Sequence, residues 1–170
     1  MSGAASWSFR DEDANRIGHL LDRLLAESSA RTALLVDRAG QMLATAGQAP
    51  RFDPVTFATL TAADFSANDQ LARLLGENEF GALFHQGEKD SLYLADVARR
   101  VILVVIFDNG TTLGLVKLRV RSVVPELSRV FTDMFSRENT MGPGVRQSKA
   151  IERGFVGEAE DEIDRLFGSG

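Results

Sequence analysis

Between Arg100 and Asp108 the chain runs Val101-Ile102-Leu103-Val104-Val105-Ile106-Phe107, an unbroken apolar stretch closed by charge at both ends. It is too short to cross a bilayer and rich in β-branched residues, so it reads as a strand covered on both faces. Burying each such side chain contributes roughly 1.5–3 kcal/mol, which makes this strand the anchor of the core. A strand covered on both faces needs layers above and below it. The flanking segments must supply them.

The 170 residues leave room for one domain and a tail. There is no cysteine, so disulfides and thiolate metal sites are excluded, and the two histidines stand too far apart in sequence to suggest zinc. A net charge of −5 opposes a nucleic-acid partner, which favours a basic face. No apolar run is long enough for a membrane span, and the acidic Asp11-Glu12-Asp13 is unlike a signal peptide. The expectation is a cytoplasmic domain.

Residues 1–10 are small or polar apart from Trp7 and Phe9, and are expected to be loose. From Asp11 the spacing turns helical, with Ile17, Leu20, Leu21, Leu24 and Leu25 on one stripe and three acids at the positive end of the helix dipole. His19 flanks that stripe as a surface residue. Thr32 to Val36 and Gln41 to Ala46, joined through Asp37-Arg38-Ala39-Gly40, read as a hairpin. After a loop, Asp53 can cap a helix beginning at Pro54 and running to about Leu75.

That second helix carries two kinds of surface. Val55, Phe57, Leu60, Phe65, Leu71, Leu74 and Leu75 supply bulk, whereas Ala58, Ala62, Ala63, Ser66, Ala67 and Gln70 make a smooth surface. The smooth surface suits close approach of a partner, although periodicity alone favours an ordinary amphipathic helix whose alanines promote helicity. Gly76 releases the chain into Glu77-Asn78-Glu79. Paired acids can serve acid–base chemistry or bind a divalent ion, but no third ligand, base or nucleophile accompanies them, so a solvated loop that could face a partner is expected.

Phe84 to Gly87 and Ser91 to Leu94 flank Glu88-Lys89-Asp90 as a second hairpin, and Arg99-Arg100 turn the chain into the central strand. With the first hairpin this makes a five-stranded antiparallel sheet. Asn109-Gly110 is a strong hairpin signal. Against a sixth strand, Leu113, Val116, Val120, Val124, Leu127, Val130, Phe131 and Met134 recur at helical spacing, and Thr111 or Thr112 can cap a helix. The reading is a helix, with Pro125 expected to kink it. Residues 138–154 read as a flexible linker. Over 155–168, Ala159, Ile163, Leu166 and Phe167 share one side of a short acidic segment, which is either a docking helix or a frayed tail.

The order α-β-β-α-β-β-β-α, an α/β (α+β) chain with helices on both sides of the sheet, resembles the Roadblock / dynein-light-chain fold. The resemblance is also local. Leu34-Leu35-Val36-Asp37-Arg38-Ala39-Gly40-Gln41 resembles the family's first hairpin. Leu74-Leu75-Gly76-Glu77-Asn78-Glu79-Phe80 resembles the exit of its second helix. Phe84-His85-Gln86-Gly87-Glu88-Lys89-Asp90-Ser91-Leu92-Tyr93, Val104 to Asp108 and Leu113-Gly114-Leu115-Val116 complete the pattern. Together these are similar to the bacterial MglB-like branch (mutual gliding protein B), over a domain of residues 11–137.

The resemblance implies a homodimer made by pairing sheet edges and packing the two second helices. It implies a Ras-like small GTPase partner, MglA-like, bound one per dimer and driven to hydrolyse GTP by positioning of its switch regions, with no arginine finger supplied. It further implies no catalytic, metal or cofactor residues in this chain, and concentration at a cell pole. Ala63, Ser66, Ala67, Gln70 and Arg73 are the expected GTPase-binding positions. Glu160, Ile163, Leu166 and Phe167 would form the C-terminal docking helix. A non-catalytic adaptor that tethers a GTPase or other polarity and motility proteins uses the same platform and is the competing reading. No phosphate loop or nucleophile elbow suggests an enzyme, and Arg99 and Arg100 are more readily holders of acidic neighbours than an inserted finger.

Overall fold

The computed structural model describes residues 7–141. Its elements are α1 (Asp11–Ser28), β1 (Thr32–Asp37), β2 (Met42–Gly47), α2 (Pro54–Leu74), β3 (Ala82–Gln86), β4 (Ser91–Val97), β5 (Val101–Phe107) and α3 (Leu113–Met141). The expected element order and the five-stranded antiparallel sheet are both present, with strand order β2-β1-β5-β4-β3. By compactness the chain divides after Thr132. The first unit holds the sheet, α1, α2 and most of α3; the described residues of the second are helical to Met141. No helix among the described residues is long and apolar enough to cross a membrane.

The apolar run forms β5, buried at every position, at the centre of the sheet between β1 and β4. Pleating sends alternate residues to opposite faces. Leu34, Val36, Ile102, Val104, Ile106 and Leu94 meet Ala58 and Phe65 of α2 in one cluster. The intervening Ala33, Leu35, Leu103, Val105 and Tyr93 are buried as well and point to the opposite layer. In α1 the buried stripe is Ile17, Leu21 and Leu24, with Leu20 and Leu25 at its margin and His19 exposed. Arg23–Glu126 (2.9 Å) and Arg119–Glu27 (3.4 Å) join α1 to α3.

After β5 the chain turns helical, as the spacing predicts. Gly110 N–H bonds the Asp108 carboxylate (2.8 Å), and the Thr112 hydroxyl accepts from Leu115 N–H (3.2 Å) at the helix start. Thr111 instead donates to the Ser28 carbonyl, tying α3 to the end of α1. Pro125 sits at an exposed position inside α3, where its ring removes the helix bond that the Arg121 carbonyl would accept.

At both ends the described residues reach beyond 11–137. The N-terminal segment is anchored from Trp7 onward: the Trp7 indole donates to Asp37 (2.7 Å), stacks on Phe9 and meets Phe131 edge-on. An aromatic ring with a satisfied N–H is worth burying even in a short terminal segment. Residues 138–141, read as the start of a linker, continue α3. The rest of that linker and the segment 155–168, with Glu160, Ile163, Leu166 and Phe167, lie outside the described residues.

Candidate partner-binding surface

Helix α2 starts where the sequence calls for it. Pro54 occupies the first turn, and the Asp53 carboxylate accepts from the backbone N–H of Thr56 (3.0 Å) and from its hydroxyl. The Thr56 hydroxyl bond, then the backbone bond, hold the Asp53 carboxyl below its ordinary pKa. The residues turned to the sheet are Ala58, Thr61, Ala62, Phe65, Asn68 and Ala72. Two of the alanines expected on the smooth outer surface, Ala58 and Ala62, are therefore buried. Much of the expected bulk faces outward, with Leu60, Leu71, Leu74 and Leu75 respectively 64, 56, 83 and 74% exposed. Small residues let the helix pack closely on the sheet, with Phe65 its fully buried large side chain and Phe57 packed part-buried against the same cluster.

At 3.6 residues per turn the outer surface of α2 resolves into three strips. Leu60, Asp64, Leu71 and Leu75 lie on the flank beside β3, where Asp64 contacts His85 of that strand at 2.6 Å. Ala63, Ala67, Gln70 and Leu74 form the crest. Ser66, Asp69 and Arg73 form the opposite flank. All five expected binding residues, Ala63, Ser66, Ala67, Gln70 and Arg73, are exposed on the crest and this second flank. Among the described residues β3 pairs only with β4, which leaves the sheet edge on that side unpaired. Phe84 on that strand is part-exposed and stacked on Phe107.

The second flank borders a polar cleft of about 680 Å³ whose lining includes Arg38, Ser66, Asp69, Arg73, Glu79 and Arg99. Its floor is an arginine that sequence reading treats only as a turn residue. Arg38 donates to Asp69 of α2 (2.7 Å) and to Asp96 of β4, and its guanidinium lies 4.6 Å from the Phe65 ring centre. Burial opposes its charge, but the bonds to Asp96 and Asp69 outweigh that and raise its pKa. Arg38 thus ties the β1–β2 turn, α2 and β4 together beneath the exposed strip. The only signal in the sequence is a charged residue in a hairpin turn; its acids stand 31 and 58 positions away, too far for any pattern to connect them.

The other sequence candidates fall at the rim. Arg99 approaches Glu79 at 4.0 Å, and the Arg100 carbonyl accepts the Arg38 N–H (3.1 Å). Glu77 and Glu79 are exposed, and among the described residues no group of three His, Asp or Glu could hold a metal ion. The surface offers shape, apolar area and charge for recognition.

The Roadblock/LC7 domain model matches residues 6–107. Among solved structures the chain is similar to MglB of Myxococcus xanthus, at 47% identity over 69% of this chain and 96% of that one, with a TM-score of 0.67. It is similar to the gliding protein MglB of Thermus thermophilus, at 37% identity over 75% and 97% of the two chains, TM-score 0.69. A structure described as MglB with a tetrameric arrangement is also 37% identical, over 75% and 96%, TM-score 0.70. No curated protein is significantly similar to the chain. By its matching domain, its helix and strand order and its identity to these structures, the chain belongs to the Roadblock/LC7 domain family, in the MglB-like branch.

Proposed function

We propose that this protein is a homodimeric regulator of a Ras-like small GTPase of the MglA kind, accelerating GTP hydrolysis by bracing the GTPase's switch regions. The observation that carries the reading is the division of one helix into strips with different chemistry. Leu60, Leu71 and Leu75 flank the open β3 edge, and each leucine removed from water contributes roughly 1.5–3 kcal/mol. Pairing two β3 edges, with the leucine flanks of two α2 helices packed together, covers both the apolar area and the unpaired strand. The crests and outer flanks of both helices then form a shared saddle bearing Ala63, Ser66, Ala67, Gln70 and Arg73. One relative described as a gliding protein supports a role in motility, and one described as having a tetrameric arrangement supports assembly.

In this reading the chain supplies no catalytic group. Its contribution is to hold the GTPase's own residues against the γ-phosphate, and in other GTPases a completed site is worth about 10³–10⁵ in rate. Glu160, Ile163, Leu166 and Phe167 would dock on the GTPase away from its nucleotide. The test is single-turnover GTP hydrolysis by the MglA-type GTPase of the same organism, with and without excess of this protein. Acceleration that saturates at two chains per GTPase is expected. Unchanged turnover overturns the reading, and equal binding to the GTP and GDP forms would assign the protein to tethering instead.

A further inference from the structure

The β4–β5 turn has a conformation its sequence does not favour. Ala98 and Arg99 have φ of 53° and 59°, and Arg100 N–H returns to the Val97 carbonyl at 3.3 Å, so both central residues of the turn are left-handed. Such turns are normally built from Asn-Gly or similar pairs, because a Cβ crowds the backbone there. Neighbours enforce it. Asp96 accepts the Arg99 N–H (3.0 Å), the same carboxylate receives the Arg38 guanidinium, and Arg38 N–H bonds the Arg100 carbonyl. Glycine at position 99 would satisfy the turn without strain. What the strain presents is a guanidinium 81% exposed at the rim of the polar cleft.

Three arginines line that cleft and they are not equivalent. Arg38 is engaged by Asp69 and Asp96. Arg99 has only Glu79, at the 4.0 Å limit of an ion pair. Arg73 has no ion-pair partner among the described residues. Two cations therefore face one opening with a single long ion-pair contact, Arg99 to Glu79, between them. We infer that the Arg73–Arg99 cleft receives a carboxylate side chain of the protein partner, with Arg99 held out to it by the strained turn. The inference rests on the reading of α2 as a GTPase-binding surface and names the chemistry of one contact, an acidic residue on the GTPase. A single carboxylate suits the cleft better than a phosphate group, because Asp69 and Glu79 also line it and repel a second negative charge.

Arg99→Gly separates recognition from stability. In the full-length protein it should raise the melting temperature by about 2–4 °C, by relieving the turn. It should also weaken binding of the GTP-analogue-loaded GTPase about tenfold and flatten its salt dependence. Arg73→Ala should weaken binding similarly and leave the melting temperature unchanged. Wild-type binding that Arg99→Gly leaves as tight, with the same salt dependence, overturns the inference alone; so does a fall in melting temperature. A wild-type chain that binds no such GTPase in either nucleotide state overturns the functional reading and the inference with it.

Discussion

Gly47 ends β2 at a φ of 87°, and a Cβ there would lie 2.2 Å from the Arg31 carbonyl oxygen and 2.7 Å from a methyl of Leu25. The oxygen belongs to the backbone and cannot withdraw. Gly47→Ala is expected to destabilise the fold by about 1–3 kcal/mol, read as a lower urea midpoint at unchanged slope; an unmoved midpoint would refute it. Asp53 makes a prediction of a different kind. Its folded pKa is lowered, so its contribution is fully present above the ordinary carboxylate pKa and is lost as pH falls through the folded value. Asp53→Asn retains a capping acceptor but does not titrate. The melting temperatures of wild type and Asp53→Asn should therefore converge as pH drops below about 4, and a gap that stays constant would count against the cap. Asp53 was readable in the sequence because its partner lies three residues on. Arg38 was not, because its partners meet it only after the sheet has formed.

At the scale of the element, α2 carries the most weight and was the least legible. Its limits followed from Asp53-Pro54 at one end and Gly76 at the other. Its orientation did not, since apolar residues stand nearly all round it and periodicity alone selects no face. The sheet chose Ala58, Ala62 and Ala72 because small side chains permit close packing, and the leucines were left outside. The strips predict opposite phenotypes from adjacent positions. Leu71→Glu should yield a folded monomer by analytical ultracentrifugation, since the residue is exposed in the single chain and its burial belongs to the proposed dimer. Gln70→Arg, on the crest, should leave the dimer intact and abolish GTPase binding. A Leu71→Glu dimer of unchanged strength would move the interface elsewhere. By contrast, α3 was legible against a strong competing turn signal, because apolar spacing of three and four persists over most of its length.

For the whole molecule, the buried side chains of the sheet, α1 and α2 lie before residue 112, and those of α3 in the first unit end at Phe131. A chain ending at Met141 should therefore unfold at the same temperature as the full protein. If residues 155–168 dock on the GTPase, the truncated form should bind that GTPase more weakly or slow its cycle. A lower melting temperature would instead make the tail part of the fold. The kinds of segment and their order, including the central place of β5, were readable along the chain, because hydrophobic period, capping and turn chemistry act between near neighbours. Which side of α2 meets the sheet, how Arg38 finds Asp69 and Asp96, and why Arg99 stands at the mouth of a cleft were settled by folding. Those features depend on what the opposing layer offers, and distant residues acquire neighbours only when the layers close.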